Sequence, residues 1–195
     1  NKANQTITNL SNLNNAQKDA EKNLVNSVST LEQVQQNLQT AQQLDNAMGE
    51  LRHSIANKDQ VKSDSKYLNE DPQIKQNYDN AVQRAEGLIN ATQNPELLKA
   101  NIDQATQSVQ NAEQALHGAE KLNQDKQTSS TELDGLTDLT DAQREKLKEQ
   151  INSSDSRDDI KQKIEQAKAL NDAMKQLKEQ VAQKDGVHAN SDYTN

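Results

Sequence analysis

The sequence repeats itself. Shifted by 126 positions, residues 10–69 align with 136–195 without a gap, and 20 of the 60 aligned pairs are identical, far above chance. Leu10-Ser-Asn-Leu13-Asn-Asn-Ala16-Gln17 returns as Leu136-Thr-Asp-Leu139-Thr-Asp-Ala142-Gln143, and Leu44-Asp-Asn-Ala47-Met48 returns as Leu170-Asn-Asp-Ala173-Met174. Val61, Ser65, Tyr67 and Asn69 return as Val187, Ser191, Tyr193 and Asn195. Two copies that keep register without insertion must share one geometry, and such units stack on their neighbours rather than closing on themselves. The chain therefore holds one full period and the start of a second, and both ends are expected to be boundaries inside a longer protein.

Within the period the apolar spacing is helical. Val34, Leu38, Ala41, Leu44, Met48, Leu51 and Ile55 step by three or four, as do Ile160, Ile164, Ala167, Leu170, Met174, Leu177 and Val181. Each stripe predicts one long helix, over 31–59 and 156–185, opened by a capping box at Thr30–Gln33 and at Ser156–Asp159. Asp71-Pro72 predicts a second helix start, with proline at the first helical position, and Asn94-Pro95 predicts a third that runs to about Asp125. Asn14 and Thr140 read as N-caps of a shorter helix in each copy. The polar stretches Thr128–Thr131 and Leu133–Leu136 read as the break in the chain. Gly49, Gly87 and Gly118 fall inside helical patterns, where glycine permits close packing. Gly49 is the weak point of its helix, so Gly49→Ala is expected to stiffen the helix without harm.

Composition restricts what these helices can enclose. Only 31% of residues are apolar, with no Trp, Phe or Cys, so a wide core is out of reach and thin bundles remain. A net charge of −8 argues against nucleic acid and anionic membranes, which need clustered Lys and Arg. No apolar run approaches the ~20 residues of a membrane span. The expected fold is all-α: a string of three-helix bundles joined by long shared helices into an elongated rod.

The segment around 45–125, with Val61, Tyr67, Tyr78, Ala81, Ala85, Leu88 and Asn94-Pro95-Glu-Leu, resembles a FIVAR module. The segments 1–44 and 126–170, with Leu136-x-x-Leu139-x-x-Ala142-Gln143 and then Ile151-Asn152, resemble GA modules, and 171–195 resembles the start of another FIVAR module. Alternation at this period is similar to the giant staphylococcal extracellular-matrix-binding proteins. The resemblance implies a non-enzymatic, monomeric stalk on the bacterial surface, cell-wall-associated or secreted, with fibronectin as the expected matrix ligand.

Candidate chemistry is sparse. His53, His117 and His188 lie far apart, none in a spacing that puts two metal ligands on one helix face, and they read as exposed surface histidines. Asp158, Asp159 and Glu149 could be taken for acidic ligands, but Asp at a helix start is favoured by the helix dipole and Asp159 can pair with Lys163. No glycine-rich loop or nucleophile motif is present, so no catalytic residue, cofactor or metal is expected. Tyr67 and Tyr78 are the possible ligand contacts, weighed against a packing role at the end of a narrow bundle. GA modules elsewhere bind albumin through a helical face bearing aromatic residues. Here 1–59 and 126–185 have no aromatic residue, and Asp141, Ala142 and Gln143 stand where tyrosine would be expected. A matrix-binding stalk is therefore the leading expectation, ahead of an albumin-binding module or a spacer without a ligand.

Overall fold

The computed structural model describes residues 1–188, so the expectations placed on Ser191, Tyr193 and Asn195 lie outside the described residues, as does the side chain of His188. Every regular element among the described residues is helical, and the chain divides into two compact units, 1–117 and 118 onward.

In the first unit, α1 (Lys2–Thr8), α2 (Asn15–Asn26) and the first half of α3 (Leu31–Ile55) enclose a small core of Ala3, Ile7, Val25 and Ala41. The second half of α3 enters a different core. Its Leu44, Met48 and Leu51 are fully buried against Tyr78, Val82 and Ala85 of α6 (Pro72–Asn90) and Ile102, Ala105 and Val109 of α7 (Lys99–Gln114). Burying each such large side chain stabilises the fold by roughly 1.5–3 kcal/mol. One unbroken helix thus serves two bundles. The starts follow the sequence. Asn14 forms a full capping box with Gln17, and the Thr30 hydroxyl accepts from the Gln33 amide at 3.1 Å. The long helix stops at Ile55 rather than 59, and two short helices, α4 (Lys58–Ser63) and α5 (Ser65–Leu68), lead to Pro72 at the head of α6.

The third helix differs from the expectation at both ends. Asn94 is not its N-cap. It sits in the connecting loop with φ of 49°, a left-handed conformation that Asn tolerates, and α7 begins five residues later. Glu96 tends that start, accepting from the Leu98 amide and from Asn101 Nδ2. Nor does the helix reach Asp125. It ends at Gln114, Leu116 turns into the core, and the buried Glu70 carboxylate accepts from the His117 amide at 2.6 Å. A backbone N–H captured by a side chain 47 residues away can no longer continue the helical ladder.

The second unit begins with α8 (Gly118–Asp134), which carries straight through Thr128–Thr131, the stretch expected to be a break. Ser129 is buried between Leu122 and Leu133, filling an apolar position on the packed face, and Thr131 Oγ1 donates back to the Gln127 carbonyl. Gly118 opens this helix instead of lying inside one. α9 (Asp141–Asn152) starts from a Thr140–Gln143 capping box, and α10 (Arg157–His188) runs 32 residues without interruption. Leu122, Leu133, Ile151, Ile160, Ile164 and Ala167 form the core, so only the first part of α10 is packed.

Candidate interaction surface

The two tyrosines expected to contact a ligand are brought together, but they end in different environments. α5 delivers Tyr67 over α6, where its ring meets that of Tyr78 edge-on at 6.2 Å between centroids. Tyr78 is fully buried, so it has no surface to offer a partner, and its hydroxyl has no hydrogen-bond partner. Burial, with smaller contributions from Glu113 and Asp79, pushes its phenol up to about 12. Tyr67 stays half-buried and donates to both carboxylate oxygens of Asp79, at 3.0 and 2.9 Å. Its phenol is likewise raised, by burial first and then by the Asp79 hydrogen bond. Lys62 Nζ and Lys75 Nζ stand 6.0 and 5.5 Å from the Tyr67 ring centre, in cation–π range. Lys62 also pairs with Asp79 at 3.1 Å, as Lys66 does with Glu113 at 3.2 Å. Of the pair, Tyr67 alone presents ring surface, framed by two ammonium groups and a carboxylate.

The other candidates stay apart. His53 and His117 are exposed, the second at the α7–α8 break instead of on a helix face. Asp159 is engaged by Lys163 and by Ser154 Oγ, which hold its carboxyl below the usual range, the Lys163 hydrogen bond having the larger effect. Among the described residues no cluster of His, Asp or Glu is placed to hold a metal ion, and no helix is long and apolar enough to cross a membrane. On the second GA-like segment, Asp141 pairs with Arg144 and Gln143 completes the α9 capping box, so both polar residues that stand in place of the expected tyrosine are engaged locally.

Sequence reasoning missed the polar seam that joins the two bundles of the first unit. Asn14 Nδ2 donates to the Leu88 and Ile89 carbonyls, both at 3.2 Å, and Gln17 Nε2 donates to the Glu96 carbonyl at 2.9 Å. The residues that cap α2 therefore also close the C-terminal end of α6. Only the capping half of this arrangement has a local sequence signal.

The alternation of bundles matches two family descriptions. The GA module pattern covers residues 1–47 and 119–173, and the FIVAR domain pattern covers 47–117 and 173–195. The chain belongs to the GA and FIVAR repeat family. Over 151 residues, 77% of this chain, it is 43% identical to extracellular matrix-binding protein EbhA of Staphylococcus aureus strain Newman and 45% identical to extracellular matrix-binding protein ebh of strain NCTC 8325. It spans only 4% and 2% of the lengths of those two relatives. A solved segment of Staphylococcus aureus EbhA superposes with a TM-score of 0.77 at 30% identity, covering 85% of this chain and 69% of that one. A second solved chain, from work on Embp-mediated adherence of Staphylococcus epidermidis to fibronectin, gives a TM-score of 0.58 at 34% identity, covering 60% of this chain and 92% of its own. The matched relatives are extracellular matrix-binding proteins, which fits an adhesin-like role for these modules and not an enzyme family.

Proposed function

We propose that this chain is a stretch of an extended adhesin stalk on the bacterial surface that binds host matrix, fibronectin first, weakly per module and by repetition overall. The observation that carries the reading is α3, a single helix built into two successive cores, because a repeat joined through continuous helices can present many identical surfaces at fixed intervals. The solved relative tied to fibronectin adherence supports the choice of ligand. Tyr67, flanked by Lys62 and Lys75, is the contact we assign, with Tyr78 as the platform beneath it.

Repetition converts weak contacts into useful retention, since each further engaged site adds an intramolecular binding step. Concatemers of one, two and four periods, flowed over immobilised fibronectin, should show dissociation slowing steeply with repeat number, and Tyr67→Ser in every copy should weaken all of them. If no member of the series binds, the stalk is a spacer. If albumin instead binds the single period at micromolar affinity or tighter, the serum-protein reading replaces this one.

A further inference from the structure

The corner between α1 and α2 docks on α3 in the first unit, and its counterpart between α8 and α9 docks on α10 in the second. Their apolar residues are the same. Leu13 and Leu139 occupy the same repeat position, 3% and 4% exposed; Leu13 packs in the core with Leu44, Ala47 and Met48, and the same residue types, Leu170, Ala173 and Met174, stand at the matching positions of α10. Nothing apolar tells a corner which helix is its own. The polar pair beside it does. In the first unit the acid is on the helix: Asp45 Oδ1 accepts from the Asn12 amide at 2.9 Å, Asp45 Oδ2 accepts from Asn12 Nδ2 at 3.3 Å, and Arg52 Nε donates to the Asn12 carbonyl at 2.9 Å. In the second unit the acid is on the corner: Asn171 Oδ1 accepts from the Asp138 amide at 2.9 Å, and Lys178 Nζ lies 3.7 Å from Asp138 Oδ1. All four residues are half-buried, and each stands 126 positions from its counterpart. Gly49 lies against the Asn12 carboxamide, and a Cβ there would stand 3.0 Å from Asn12 Nδ2, so Gly49→Ala requires this contact to give by a few tenths of an ångström.

We propose that this Asn/Asp inversion is a pairing key that makes each corner select its own long helix over that of the other copy, and so keeps near-identical repeats from exchanging parts. A reciprocal exchange always seats Asp138 on the helix bearing Asp45. The incoming carboxylate then stands where Asn12 Nδ2 stood, against Asp45 Oδ2, in a half-buried site where like charges at that range repel strongly. The opposite mismatch, Asn12 on Asn171, is neutral and leaves Lys178 without its acid. Exchange of identical elements is otherwise a low-cost route to dimers in repeat proteins.

Two measurements on the whole chain test the key. In a double-mutant cycle, Asn12→Asp places two carboxylates together and should lower the melting midpoint of the first unit by about 3–5 °C, while Asn12→Asp with Asp45→Asn rebuilds the pair of the second unit and should recover most of that loss. A double variant that loses as much as the two single variants summed overturns the coupling. In the second measurement, Asp138→Asn with Asn171→Asp gives both units the same key, and refolding from urea at high protein concentration should yield a several-fold larger dimer fraction than the original chain. An unchanged dimer fraction in a variant of native helicity overturns selection between copies.

Discussion

The second half of α3 and the second half of α10 carry the same residues and meet opposite fates. Leu44, Ala47, Met48 and Leu51 correspond to Leu170, Ala173, Met174 and Leu177. The first set is essentially inaccessible under α6 and α7, whereas Leu170 and Leu177 are 38% and 52% exposed. A stripe is therefore an offer of burial, and the helices that cover it decide whether burial stabilises anything. Along α10 the uncovered turns stay helical on the intrinsic preference of their Lys, Gln, Glu, Leu and Ala, with Gly186 the poorest helix former of the stretch.

Charge placed in a core gives the largest contrast. Ile164→Asp, in the packed part of α10, should cost several kcal/mol and melt the second unit, while Leu177→Asp on the same helix should shift stability by no more than about 0.5 kcal/mol. Thermal melts followed by circular dichroism separate the two, and equal losses would mean that the far half of α10 is covered in solution. Truncation sharpens the comparison between copies: Met48→Ala should cost about 2–5 kcal/mol through the cavity it leaves, and Met174→Ala close to nothing. Denaturant titration of both variants reads the difference directly.

The covered bundle should also be the alkali-sensitive one. With the Tyr78 phenol raised to about 12 in the fold and near 10 when unfolded, the unfolded chain ionises first, so stability is kept below pH 10 and falls as pH rises from 10 towards 12. The loss amounts to on the order of 2 kcal/mol, and Tyr78→Phe should abolish that share of it while removing a buried hydroxyl that has no partner. A pH series of melts on both proteins decides this. Position 21 separates the copies in the other direction. The Glu21 carboxyl is 2% exposed and held above its ordinary value by burial, whereas Leu147 stands at the same place in the second copy. Its folded value exceeds the unfolded one, so stability should fall as pH rises out of the carboxylate range, and Glu21→Leu should remove that slope and gain about 1 kcal/mol at neutral pH. The smallest effect concerns Asn94. Asn94→Ala should cost about 1 kcal/mol because Ala resists the left-handed backbone there, and Asn94→Gly should cost nothing. Equal losses for Ala and Gly would return Asn94 to a side-chain role.

Most of the helical skeleton is legible from the sequence because it depends on local signals: the stripes of α3 and α10, and the caps at Asn14, Thr30 and Thr140. What escapes is whatever is settled across the fold. The apolar phase runs unbroken from Val109 through Leu116 to Ala119, and only the distant Glu70 carboxylate stops α7 there. On α6 the apolar spacing of Ile74, Tyr78, Ala81, Ala85 and Leu88 marks a stripe whose Tyr78 and Ala85 are fully buried, but Val82 and Ile89 lie deeper than Ala81 and Leu88, because that helix packs against both α3 and α7 and buries a face wider than one stripe. The tyrosine pair was visible as a pair. Which ring would be sealed and which left open follows from the way α5 folds over α6, and no local spacing encodes that.

A helix that belongs to two cores cannot let go of one without straining the other. Pull on the first unit along α3 and tension entering through the α6–α7 core is handed directly to the α1–α2 core, with no slack linker in between to absorb it. Single-molecule stretching of this unit should accordingly show rips longer than either bundle alone could release. In the stalk proposed above, such a chain would hold its length under moderate load and then yield in large steps.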